Sequence, residues 1–303
     1  ELSGYLGHSS LRVPPLVMGH EFSGKIVELG SGIDRDKIGL RIGQAVTVNP
    51  LSQCGDCGYC RRGDGHLCPQ RRVLGAHGPG AYAKYVTTPV VQVRPLPMGL
   101  SLREGALTEP VACAVRIGEM AGDISGQDCL IIGAGPIGLL AMQVLFFNGA
   151  KRVFMTDLSA ERSAMAEELG GTVINPRLSD VVEVVREQTG GFGVAVSVDA
   201  VGLAITRSQC VAATRSGGTL ILSGLHQEIS EMPAADIIRR EIVVRGSFAY
   251  APRNFARAVE LLDQGVVGLD PWIIEAPLRD GGAWFERLLD EPGDVSKVLL
   301  IPA

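Results

Sequence analysis

Four cysteines fall within a span of fifteen residues, as Cys54-Gly-Asp-Cys57-Gly-Tyr-Cys60 and then Cys68 after seven intervening residues. Thiolates at two-residue spacings, turned toward one point by glycine-rich loops, can close a tetrahedron around zinc. Such a site keeps no open coordination position, so its role would be structural. Free thiols and a redox CxxC pair are the other readings of these residues. The redox reading lacks the strand–CxxC–helix setting it needs. The chain has seven cysteines, an odd number that argues against a disulfide framework.

A second group is Gly133-Ala134-Gly135-Pro136-Ile137-Gly138. It follows an apolar run, Cys129–Ile132, and opens an apolar helix, which is the setting in which a GxGxxG pattern binds a dinucleotide. Gly133 permits the tight turn, Gly135 lets the backbone approach a pyrophosphate, and Gly138 lets the helix pack closely on the strand. Pro136 and Ile137 begin that helix, whose terminal N–H groups and partial positive charge suit phosphates. Asp157 ends the next strand, 19 residues after Gly138. A carboxylate there accepts hydrogen bonds from ribose hydroxyls and repels a 2′-phosphate. No Arg immediately follows it, so NAD is favoured over NADP. Asp199 and Gly202, in VDAVG, also follow a strand of a parallel sheet, where α/β sheets bind ligands. Contact with the nicotinamide end and a helix N-cap are the two readings of Asp199.

A third group is Gly19-His20-Glu21, together with Glu109-Pro110. His and Glu are both zinc ligands, and the set is compatible with one metal ion. Taken singly, His20 reads as a hydrogen-bonded structural histidine and Glu109 as a helix-start carboxylate. The metal reading draws its strength from the other two groups.

These residues need elements to position them. Residues 1 to about 100 read as mainly β. Glycine-punctuated alternation spans 16–30, a strand is expected at Gln44–Asn49, and Tyr82–Val93 reads as two strands meeting at Pro89. From Ser101 the spacing of Leu102, Ala106, Leu107, Val111, Ala114 and Val115 predicts a helical face broken at Pro110. Strands at Cys129–Ile132, Arg152–Thr156, Val194–Val198 and Thr219–Ser223 then alternate with helices at Pro136–Asn148, Ala160–Leu169, Asp180–Gln188 and Ile205–Ala213. That alternation means βαβ units around a parallel sheet. A helix at Pro252–Gln264 and a strand at Val298–Ile301 close the pattern.

At roughly 150 residues per domain, 303 residues allow two domains. A composition 46% hydrophobic and 20% charged excludes a disordered chain or a small disulfide scaffold. Charged residues number 28 basic and 33 acidic, a net −5, and no basic block occurs, so a general nucleic-acid binder is excluded too. No signal peptide is read at the start and no apolar run reaches about 18 residues, so a cytoplasmic protein without membrane partners is expected.

The motifs GHEFSGKIVELG, the four-cysteine lobe, TEP, GAGPIGL and Asp157 occur in the order found in one family. The chain resembles zinc-containing medium-chain dehydrogenases/reductases, on the sorbitol, threonine and butanediol dehydrogenase branch. The resemblance implies an α/β fold in which a GroES-like catalytic domain, split in sequence over 1–107 and 247–303, surrounds a Rossmann domain at 108–246. It also implies a structural zinc on the four cysteines and, in the full-length protein, a catalytic zinc served by His20, Glu21 and Glu109. The reaction implied is hydride transfer between a small polyol or secondary alcohol and NAD, in a homodimer or homotetramer. Phe248 is expected near the nicotinamide or in the cleft wall; Tyr5 and His8 fall where the substrate cleft begins, and substrate contact and a surface loop are the two readings of them. The family's further ligand, a Cys with a Ser or Thr beside it, would fall ahead of Glu1, outside these 303 residues; Cys113 is a possible substitute. A zinc-free quinone or alkene reductase and an inactive nucleotide-binding relative are the alternatives.

Overall fold

The computed structural model describes residues 12–291 and 293–303. Glu1, Tyr5 and His8 lie outside the described residues. The chain divides into two compact units, Glu1–Ala112 with Ala251–Ala303, and Cys113–Tyr250.

In the first unit β1 (Ser23–Lys25), β2 (Ala45–Val48) and an antiparallel partner at Val93–Pro95 form one sheet. Between them β3 (Leu51–Ser52) pairs antiparallel with β4 (Arg72–Val73). The Val93–Pro95 strand is β5. Tyr82–Val93 does not form two strands. Gly80, Ala81 and Tyr82 bond backbone-to-backbone with residues 17–19, but the chain then bends and enters a 3₁₀ turn at Val90–Gln92. Pro89 has no N–H to extend a ladder, so the β-branched run around it stays irregular.

The helical face is not broken at Pro110 either. A short helix, Leu102–Gly105, is closed at its start by a reciprocal Ser101–Glu104 capping box. The next helix runs unbroken through Thr108–Ala121. Pro110 sits in its first turn, where its missing N–H would have had no intrahelical partner. The break falls before Thr108, whose hydroxyl donates to the Gly105 carbonyl at 2.8 Å.

The second unit holds six parallel strands: β6 (Asp128–Ile132), β7 (Arg152–Thr156), β8 (Thr172–Val173), β9 (Val194–Asp199), β10 (Thr214–Leu222) and β11 (Val243–Gly246). Their spatial order is β11-β10-β9-β6-β7-β8. The chain winds outward from β6 in one direction and then from β9 in the other. The strand order therefore reverses between β6 and β9, which makes the crevice at their carboxyl ends the place for a ligand. Helices between the strands bury both faces of the sheet, and Cys129, Leu130 and Ile131 of β6 are fully inaccessible. In the first unit, β12 (Ile273–Pro277) and β13 (Lys297–Ile301) pair in parallel. No helix among the described residues is long and apolar enough to cross a membrane.

Candidate active site

The β3–β4 pair forms the neck of a lobe. Cys54 follows β3, Cys57 caps the helix Gly58–Arg61, and the 3₁₀ turn Gly65–Leu67 delivers Cys68 just before β4. Sγ separations are 3.8 Å for Cys54–Cys60 and 3.5 Å for both Cys57–Cys60 and Cys54–Cys68. A tetrahedron with Zn–S bonds of about 2.3 Å requires sulfurs about 3.8 Å apart, so the four thiols fit zinc. The Asp56 carboxyl beside Cys54 pushes its thiol up to about 12, while the backbone N–H of Cys60 draws Cys57 down to about 7. Desolvation raises Cys60. Zinc binds thiolates, so at pH 7 uptake must expel the protons of Cys54 and Cys60. We expect zinc affinity to fall as pH is lowered, with roughly two protons or more released per ion. Titration calorimetry in two buffers of different ionisation enthalpy measures that release, and equal heats in both would contradict it.

His20, Glu21 and Glu109 converge, with one ligand atom from each lying within 4.8 Å of the other two. Gly19 enables the approach. Its φ of +95° suits glycine, and a Cβ there would stand 2.8 Å from the Tyr82 ring. Glu109, in the first turn of Thr108–Ala121, is only 9% exposed. A carboxylate so buried belongs with a cation or with hydrogen-bond donors. Glu21 Oε2 is held by Lys297 Nζ of β13 in an ion pair. One imidazole nitrogen with two carboxylates is a donor set zinc accepts. Cys113, one turn beyond Glu109, is not in this group.

In the other unit the glycine loop follows β6, and its glycines differ in what the chain itself demands of them. Gly133 has φ +104°, and a Cβ on Gly138 would lie 1.9 Å from the Gly133 carbonyl oxygen. Gly135 meets no such demand: its φ is −73°, and a Cβ would find no atom within 4 Å. The protein's own packing does not require glycine there, whereas an anion lying on the backbone would. Gly135 is the N-cap of Pro136–Phe147 and offers no side-chain cap, which leaves the N-terminal N–H groups for phosphate. Asp157 Oδ2 accepts from Ala134 N–H at 2.8 Å, and Oδ1 accepts from Ser159 N–H at 2.9 Å. Each carboxylate oxygen has a second lone pair, so both retain capacity for a ribose hydroxyl. Arg177 reaches the same loop and donates to the Leu158 carbonyl at 3.3 Å.

Asp199 is placed differently from expectation. It is fully buried, and its Oδ1 accepts from Val201 N–H, Gly202 N–H and the Thr206 hydroxyl at 2.9–3.1 Å. Its carboxylate is inaccessible and turned to the loop after β9, and Leu203, not Asp199, is the N-cap of the following helix. Phe248, just past β11, is 38% exposed. Lys297 and Arg207 escaped sequence reasoning because their partners, Glu21 and Asp199, lie at separations that no periodicity reports.

Residues 2–98 match the alcohol dehydrogenase GroES-like domain, and residues 136–264 match the zinc-binding dehydrogenase family. The D-arabitol-phosphate dehydrogenase of Enterococcus avium is 34% identical over 94% of this chain and 81% of its own length. The sorbitol dehydrogenase of Halalkalibacterium halodurans is 33% identical over 100% of this chain and 88% of its own. The chain belongs to the zinc-containing medium-chain alcohol dehydrogenase family. A zinc-binding dehydrogenase of this family from Sinorhizobium meliloti 1021, solved with NADP, superposes with a TM-score of 0.89 at 31% identity, covering 99% of this chain and 87% of that one. The family's GroES-like and Rossmann architecture is the one found here, and its members are oxidoreductases. These relationships support the dehydrogenase reading over a zinc-free quinone or alkene reductase.

Proposed function

We propose that the protein is a zinc-dependent dehydrogenase that oxidises a small polyol or secondary alcohol with NAD. The observation that carries this reading is the convergence of His20, Glu21 and Glu109 within 4.8 Å, in a chain whose relatives include arabitol-phosphate and sorbitol dehydrogenases. In this reading 1–107 with 247–303 form the catalytic domain and 108–246 the nucleotide domain. The protein works in the cytoplasm as a homodimer or homotetramer.

When bound, zinc supplies Lewis acidity toward the substrate hydroxyl and the nicotinamide supplies the hydride acceptor. The chain's residues do the rest. His20, Glu21 and Glu109 hold the catalytic metal, and Lys297 fixes the Glu21 carboxylate by its ion pair. Cys54, Cys57, Cys60 and Cys68 hold the structural metal. The turn from Gly133 to Gly138, with Pro136 and Ile137 opening the helix, carries the pyrophosphate. Asp157 accepts from the ribose hydroxyls.

A relative at 31% identity holds NADP, so the preference for NAD rests on Asp157 itself. A carboxylate about 5 Å from a phosphate charge costs roughly 3 kcal/mol at an effective dielectric near 20, about a hundredfold in affinity. Asp157→Ala is expected to weaken NAD binding about tenfold or more and to narrow the gap to NADP by about a hundredfold. Calorimetric titration of the wild type and the variant with NAD and NADP checks this, beside zinc per chain and oxidation rates over a polyol panel. Tighter binding of NADP by the wild type would remove NAD from the proposal. Absence of turnover on every polyol and secondary alcohol would remove the substrate class.

A further inference from the structure

Two charges are buried at the carboxyl ends of β9 and β10, and the chemistry just described uses neither directly. Asp199 is fully inaccessible and Arg207, on the helix Ala204–Ala213, is 8% exposed. They face each other with Arg207 Nε 3.5 Å from Asp199 Oδ2. Burying such a pair is costly unless the remaining donors and acceptors are satisfied as well. Here Arg207 Nε and Asp199 Oδ2 meet as an ion pair without a hydrogen bond, and the other atoms of both groups are spent on two loops. Asp199 Oδ1 accepts from the N–H groups of Val201 and Gly202, which shapes the loop after β9. Arg207 donates to the carbonyls of Gly224 and Gln227 at 3.4 and 3.1 Å and to the Ser230 hydroxyl, which gathers the loop after β10.

The two loops are then bonded to each other. Gly224 N–H donates to the Asp199 carbonyl at 2.8 Å, and Gln227 N–H to the Gly202 carbonyl at 2.9 Å. They lie so close that a Cβ on Gly202 would stand 2.4 Å from the Gly224 carbonyl carbon, and a Cβ on Gly224 would stand 2.2 Å from Gly202 N. The stack ends on the glycine-rich turn. Ala200 N–H donates to the Ile132 carbonyl at 2.9 Å, and a Cβ on Gly133 would meet Val201 Cγ2 at 2.8 Å. Arg207, Asp199, the 200–202 backbone and Gly133 thus form one contiguous series of contacts that ends at the strand-order reversal.

We propose that Arg207 is a positioning residue for the nucleotide crevice, which through Asp199 clamps the loops after β9 and β10 against Gly133. The proposal rests on the reading that this crevice takes NAD. Its guanidinium fork is suited to the task because one planar group reaches a carboxylate and several acceptors at once.

The test uses the whole zinc-loaded protein. Arg207→Met removes the clamp. The pair Asp199→Asn with Arg207→Met removes it without leaving a lone buried charge, which guards against simple misfolding. Hydrogen exchange is followed at the amides of Gly202, Gly224 and Gln227 and at those of β6 and β9, and NADH affinity is measured by calorimetry. We expect at least tenfold faster exchange in the two loops and at least tenfold weaker NADH binding, with β6 and β9 amides and zinc content at wild-type values. A merely structural role would instead speed exchange across the whole sheet and would overturn the proposal. So would faster loop exchange with unchanged NADH affinity, or unchanged loop exchange. If the wild type binds neither NADH nor NADPH while the loops still loosen, the nucleotide reading fails first and the cofactor role of Arg207 falls with it.

Discussion

His20→Ala is expected to lower kcat/KM for alcohol oxidation by at least about a thousandfold and to leave nicotinamide-nucleotide binding intact. The imidazole is the one nitrogen donor in the group formed with Glu21 and Glu109. A catalytic zinc is ordinarily held by three protein ligands with one position open to substrate. Removing one of them leaves two carboxylates, of which Glu21 is already shared with Lys297. Lewis-acid stabilisation of developing negative charge contributes several kcal/mol, and losing about 4 kcal/mol is about a thousandfold in rate. The measurement pairs zinc per chain with kcat/KM on a polyol panel. The expected signature is the loss of one zinc, with the other retained by the cysteine lobe. Wild-type rates with full zinc content would take His20 out of the ligand set.

Cys57→Ser acts on shape instead. It removes the thiol that the Cys60 backbone already favours as thiolate, at about 7. Loss of a supporting residue around a bound metal typically costs 10–100-fold in metal affinity, and loss of a ligand costs more. A thousandfold loss is about 4 kcal/mol, all of it folding energy for a lobe whose neck is the short β3–β4 pair. Melting should fall by roughly 8–16 °C on the usual scale of 2–4 °C per kcal/mol. Scanning calorimetry with elemental analysis decides the matter. A well-folded wild type that carries no zinc on the lobe would sink the assignment.

What the sequence made legible was local. Cys129–Ile132 followed by glycines and an apolar helix is a continuous stretch, so strand, turn and helix could be read together, and the parallel sheet with them. The cysteine spacing is equally local. Pro110 misled because proline breaks a helix only past its first turn, and sequence alone did not reveal where the helix began. Tyr82–Val93 misled because β-branched residues report a preference for extended backbone, while a strand also needs a partner. The burial of Asp199 and the Glu21–Lys297 pair were beyond reach for another reason. Both depend on contacts made across the chain, and the second spans 276 positions.

The open space at Gly135 has an evolutionary consequence. Gly133 and Gly138 are constrained by the chain's own atoms, so a side chain at either would have to displace its neighbours. Gly135 is constrained only by what rests on it. A methyl group there would meet no atom within 4 Å and would cost the fold only the modest difference between glycine and alanine at a helix N-cap. Copies of this chain freed from selection for activity are therefore expected to tolerate a side chain at the middle glycine of the turn more readily than at either flanking glycine.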